Sequence, residues 1–185
     1  METEVIIAPF AQIDRRRFTK GDKRVQEIQT TISQTFQNHL FTHLYPRSTI
    51  SLVIQVLSLD GGLLPACLNV ASLALIDAGV PMPSILAAIA SGMIVSTDPT
   101  SPSDPVLDLN NAEEQELPFL SVATVGTPDE DNDKVSVLVS ESRIRAGNGS
   151  LESMLTLGID GCKRIRTLMQ TTIRDHGATV LRGRR

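Results

Sequence analysis

Residues 51–82, SLVIQVLSLDGGLLPACLNVASLALIDAGVPM, decide the fold, because they read as a strand, a glycine turn and a buried helix in immediate succession. Leu52, Ile54, Val56 and Ser58 alternate with Val53, Gln55, Leu57 and Leu59, and so apolar and β-branched a run predicts a strand covered on both faces. Asp60-Gly61-Gly62 supplies the turn, where glycine permits positive φ and close approach of backbone. Pro65 is placed as a first helical residue, and the run from Ala66 to Ala78 is apolar nearly all round, the pattern of a buried helix. Gly79 and Pro81 stop it. A glycine turn feeding a helix N-terminus gathers free N–H groups and the helix dipole, so residues 61–66 are the first place to look for anion chemistry.

Working outward, Glu2 to Phe10 predicts a short strand ended by Pro9. From Asp22, as N-cap, a helix follows: Val25, Ile28, Ile32, Phe36, Leu40 and Leu44 recur at three- and four-residue steps. Tyr45-Pro46-Arg47-Ser48 is a turn, with Arg47 read as a turn residue bonding nearby carbonyls. In residues 84–95 the alanines favour helix, while the glycine and isoleucines suit a strand with a close neighbour; the reading adopted is strand. Residues 106–109 predict a short strand, and residues 118–125 and 134–139 a hairpin joined by an acidic loop. Ser150 is expected to cap a last helix with the stripe Leu151, Met154, Leu155, Gly158, Cys162, Ile165, Met169 and Ile173, ended by Gly177. The order β-α-β-α-β-β-β-β-α predicts an α+β fold, a mixed sheet with packed helices, in one domain over residues 1–177 with a basic tail at 178–185, of which residues 182–185 are expected to be mobile.

A chain of 185 residues can bury one real core. Cys67 and Cys162 sit on apolar helix faces with no metal-ligand spacing and no disulfide framework, which points to an intracellular protein, and Cys67 is read as core packing. No signal peptide and no membrane-flanked apolar run of ~18 residues is evident, so a soluble protein is expected. The net charge of −4 argues against a protein that coats nucleic acid generally, yet the charge is unevenly placed. Residues 14–24 carry Arg15, Arg16, Arg17, Lys20, Lys23 and Arg24 against two acids, whereas residues 98–141 carry eleven acids and only Lys134. With one Tyr and no Trp, the chain is poorly equipped to hold single strands by base stacking. His39, His43 and His176 lack a third ligand in metal spacing, and neither a metal nor a cofactor is expected.

Four stretches together resemble the ribonuclease PH family: HLYPRSTISLVIQVLSLDGGLLPACLNVASLALIDAGVPM, VLDLNNAEE, DKRVQEIQ and LESMLTLGIDGCKRIRTLMQ. Within the family they look most like the ring subunit of the RNA exosome that descends from the archaeal catalytic subunit, in a fungal-type version. The resemblance implies the ribosomal-protein-S5-domain-2-like α+β fold. It also implies an N-terminal strand-rich segment with an Arg-x-Asp-Gly-Arg motif, which nothing here matches. A sheet without those strands is expected to expose an unpaired edge with apolar faces, so the chain is read as incomplete or dependent on partners.

Phosphorolysis of an RNA 3′ end needs a cationic pocket for inorganic phosphate and acids for the leaving oxygen or Mg²⁺. In active family members the turn reads GGT-R-T, and its arginine and hydroxyls bind phosphate. Here the matching positions are Gly61, Gly62, Leu63, Leu64 and Pro65, a degenerate phosphate site in which Leu64 replaces the arginine. Asp108 and Glu114 match the family's acidic pair and are read as relics, or else as a solvated acidic loop. Lys23 and Arg24, unfavourably placed for the dipole of their helix, match a basic pair that lines the RNA channel; Arg15, Arg16, Arg17 and Lys20 extend that path.

The resemblance therefore implies a non-catalytic exosome ring subunit that binds RNA. Its partners would be other ribonuclease-PH-like subunits, S1/KH-type cap subunits and an associated nuclease, in an obligate hetero-oligomer of nucleus, nucleolus and cytoplasm. Two other readings stay open: a phosphorolytic 3′–5′ exoribonuclease using Asp108 and Glu114, and an S5-like binding module unrelated to the exosome.

Overall fold

The structure, a computed structural model, describes residues 1–12, 22–94, 104–126, 133–140 and 150–183. Its elements are β1 (Glu2–Ile7), α1 (Lys23–His39), a 3₁₀ turn (Thr42–Leu44), β2 (Ser51–Val56), α2 (Leu63–Asp77), β3 (Ile85–Ile94), β4 (Asp104–Leu107), α3 (Asn111–Glu116), β5 (Phe119–Gly126), β6 (Lys134–Ser140) and α4 (Ser150–Gly183). The α+β class is as expected, but the expected single mixed sheet is two sheets. β1 and β2 form a parallel pair joined through α1, and β4-β3-β5-β6 form an antiparallel sheet in that order. Parallel strands need a crossover, and α1 is that crossover.

The antiparallel sheet is covered on both sides. One core joins α1, α2, the β1–β2 pair and the Leu86, Ala88, Ala123 and Val137 face. The other packs Met93, Leu120 and Val122 under Met154 and Cys162 of α4. Alternate residues of a strand face opposite ways, which is why β3 and β5 are apolar throughout. The alanines at 87, 88 and 90 that confused helix with strand are small because helices press on both faces of β3.

Beyond its pairing with β4 at residues 91–94, the outer edge of β3 has, among the described residues, no strand beside residues 86–90. Side chains and a loop amide close it instead. Asn69 of α2 donates to the Ala88 carbonyl and accepts from the Ala88 N–H, both at 2.8 Å, as a neighbouring strand would. Ser72 Oγ donates to the Leu86 carbonyl at 2.9 Å, and the Asp108 N–H donates to the Ala90 carbonyl at 2.9 Å. Buried backbone groups left unpaired are costly, so these bonds fix both α2 and the segment after β4 against one strand.

Several boundaries differ from expectation. β2 buries Leu52 and Ile54 but exposes Ser51, Val53 and Gln55, because among the described residues no second layer covers the parallel pair; its outer face also shows Ile6. α2 starts at Leu63, two residues before Pro65, and is not buried all round, since Ala66, Val70 and Ala74 face outward. α1 ends at His39, where the capping N–H of Leu40 bonds Phe36, so Leu44 leaves the stripe and stands exposed in the 3₁₀ turn. The strand expected at 106–109 runs from Asp104 to Leu107, and α3, with its Asn110–Glu113 capping box, was not anticipated. Ser150 is itself helical, and α4 continues through Gly177 to Gly183, so the helix takes in Arg182.

Arg166 is the largest fully buried side chain. Its Nη1 lies 2.8 Å from Asp133 Oδ1, its Nη2 donates to Thr124 Oγ1 at 2.6 Å, and its Nε to the Ile85 carbonyl at 3.3 Å. A Cβ on residue 126 would collide with Asp133, so Gly126 makes room for the pair. Breaking a buried pair strands a charge. Arg166→Met is expected to cost about 3–5 kcal/mol, and adding Asp133→Asn should recover most of it in denaturant unfolding; an unchanged midpoint for the single variant would show that the pair contributes nothing.

Candidate functional site: a carboxylate at a glycine-initiated helix

The turn before α2 is as open to backbone approach as its sequence promises. Gly61 and Gly62 have φ of 96° and 58°, and Gly62 is the left-handed N-cap of α2. A Cβ at Gly61 would run into the Leu109 carbonyl oxygen and the Asn110 backbone, so the turn lies directly on the segment after β4. That segment carries Asp108, itself left-handed with φ 60°, a conformation Asp tolerates better than most side chains. The next residues wind into α3. Its capping box aims Glu114 back across the gap, where Glu114 Oε1 accepts from the Gly62 N–H at 2.7 Å.

The structure thus brings together Gly61, Gly62, Asp108 and Glu114, which lie far apart in sequence. A cleft of about 290 Å³ opens beside them, and Gly61, Leu63, Asn111 and Glu114 meet Asp22 and Arg24 from the start of α1 in its wall. Leu64 does not enter it: the side chain that stands for the arginine is buried in the core. Lys23 and Arg24 are exposed, and both also line a larger groove of about 690 Å³ between α1 and the end of β6. Asp22 caps α1 as expected, accepting from the Arg24 N–H at 3.1 Å. Arg15, Arg16, Arg17 and Lys20 lie outside the described residues.

Other candidates fall away from the cleft. Arg47 sits in its turn, exposed, with φ 64°. His39 and His43 do not share a helix: His39 Nε2 donates to the Ser84 carbonyl at 2.7 Å, while His43 packs edge-on to Phe41. His176 Nε2 is 3.2 Å from Asp77 Oδ1. Among the described residues no group of three His, Cys, Asp or Glu is placed to hold a metal ion, and no helix is long and apolar enough to cross a membrane. Sequence reasoning missed the bond from Gly62 to Glu114. The signal available was the Asn-x-x-Glu of the capping box at Asn110 and Glu113, which would have placed α3 and so aimed Glu114.

Residues 1–81 match the "3′ exoribonuclease family, domain 1", the ribonuclease PH family. The chain is 33% identical over 177 residues to exosome complex component SKI6 of Saccharomyces cerevisiae, covering 95% of this chain and 67% of that protein. It is 34% identical over 181 residues to exosome complex component ski6 of Schizosaccharomyces pombe, covering 98% and 69%. The crystal structure of rice (Oryza sativa) Rrp46 superposes with a TM-score of 0.74 at 25% identity, over 93% of this chain and 73% of that one. The chain belongs to the ribonuclease PH family.

Two outcomes test this geometry. Gly61→Ala is expected to destabilise the protein by about 2 kcal/mol or more, because the new methyl must displace the 109–110 backbone; a thermal melt matching wild type would disprove the close approach. Burial raises the Cys67 thiol from 9.0 to about 11, so the folded chain keeps this proton after the unfolded chain has lost it. The sign follows: stability should fall as pH rises between about 9 and about 11, by up to ~1.4 kcal/mol per pH unit. Cys67→Ala should flatten that slope.

Proposed function

We propose that this chain is a non-catalytic ring subunit of an RNA exosome. It pairs with a second ribonuclease-PH-like subunit, helps build a six-membered ring beneath S1/KH-type cap subunits, and lines a channel that feeds RNA 3′ end first to an associated nuclease. The nucleus, nucleolus and cytoplasm are its proposed setting. One observation carries the inactive reading: the cleft at the glycine turn presents two carboxylates, Asp22 and Glu114, against the guanidinium of Arg24. Such a wall is ill suited to a phosphate dianion, and the buried Leu64 supplies no cation. Membership of the family and the likeness to two exosome components support the assembly role.

Lys23 and Arg24, exposed at the start of α1 and facing the larger groove, are proposed to touch RNA phosphates, and Arg15, Arg16, Arg17 and Lys20 to extend the path. Binding through phosphates is salt-dependent and nearly blind to sequence.

A reconstituted ring incubated with RNA and inorganic phosphate should release no nucleoside diphosphates. Phosphate-dependent release abolished by Asp108→Asn would instead establish the phosphorolytic reading, and a chain that purifies only as a stable monomer would favour the unrelated binding module. Lys23→Glu with Arg24→Glu should weaken RNA binding by the ring without disturbing assembly. The slope of log K against log salt should shrink by about 0.7 for each RNA phosphate that is no longer neutralised; an unchanged slope removes both residues from the path.

A further inference from the structure

We propose that Glu114 is an internal counter-anion that closes the N-terminus of α2, so that the protein shuts this turn to inorganic phosphate with its own carboxylate. The inference rests on the non-catalytic reading above and deepens it: the missing arginine weakens the site, and Glu114 occupies what is left. The first ground is the bond itself. Gly62 donates to Glu114 Oε1 at 2.7 Å, a charge-assisted distance, in a turn whose two glycines both hold positive φ. That amide lies at the positive end of a 15-residue helix, where an anion is favoured.

The second ground is that the carboxylate is delivered by built structure and not by a free side chain. Asn110 Oδ1 accepts from the Glu113 N–H and Glu113 Oε2 accepts from the Asn110 N–H, both at 2.9 Å, which fixes the first turn of α3. The Asp108 N–H ties the same segment to Ala90 of β3. The Leu109–Asn110 backbone rests on Gly61. Glu114 thus meets Gly62 across a joint held from both sides. A phosphate entering there would have to displace this carboxylate or sit beside it, against like charge.

The test is binding of orthophosphate to the assembled complex, followed by calorimetry and by phosphorus-31 line width, with wild type, Glu114→Ala and Glu114→Gln. The glutamine keeps the shape and an acceptor for Gly62 while removing the charge, so it stays informative if the alanine variant fails to assemble. Glu114→Ala is expected to bind phosphate about tenfold or more tightly than wild type, the scale of one charge-assisted bond regained, and Glu114→Gln to bind it more tightly than wild type through removal of the like charge alone. Affinity unchanged in the glutamine variant, or saturable phosphate binding by the wild type at the same strength, overturns the proposal. Diphosphate release by the wild-type ring is a separate readout. A wild type that releases none, with variants that gain no phosphate affinity, keeps the scaffold reading and sinks the counter-anion.

Discussion

The side chain of Asn69 standing in for a strand is the constraint on which the site depends. Ala88 offers its N–H and carbonyl to a part of the β3 edge that β4 does not reach, and the Asn69 amide satisfies both. Two residues to either side, Leu86 is closed by Ser72 and Ala90 by the Asp108 amide. One strand edge therefore sets, in consecutive register, the depth of α2 and the start of the acidic segment. Because α2 is a rigid rod from Leu63, fixing Asn69 and Ser72 also fixes Gly62. The meeting of Gly62 with Glu114 is a consequence of hydrogen bonds made elsewhere.

Electrostatics at that meeting point underlie the proposed closure of the turn to phosphate. Backbone amides at a helix start attract an anion whatever its source. Whether the anion comes from solvent depends on the side chains around it, and here Leu64 turns inward while Glu114 reaches the amide. The cationic residues Lys23 and Arg24 stand at the start of α1, where both line the larger groove and Arg24 also reaches the cleft at the turn. In the proposed role they serve a polymer passing outside and not a small ion within.

Much of this was legible in the sequence, for identifiable reasons. The stripe from Val25 to Phe36 gave α1 and its Asp22 cap, and the Asp60-Gly61-Gly62 turn gave the start of the site. What failed was whatever depended on distant neighbours. Strand β2 reads as doubly covered because Val53 and Leu57 are apolar, yet they are exposed, at 55% and 65%. Gly177 reads as a stop, but a single glycine costs a helix only about 1 kcal/mol, and α4 runs on. Arg166 was passed over because a guanidinium reads as surface, although its spacing of four from Cys162 puts it on the buried stripe.

That guanidinium has a further effect on how the molecule moves. Its three groups of donors reach β3 through Ile85, β5 through Thr124 and the approach to β6 through Asp133, while its own backbone belongs to α4. Parting the long helix from Asp133 would strand a charge in an apolar interior, and moving β3 or β5 alone would leave a buried guanidinium donor unpaired. The same side chain therefore couples the hairpin to the long helix, the kind of shared contact that makes neighbouring elements open as one unit.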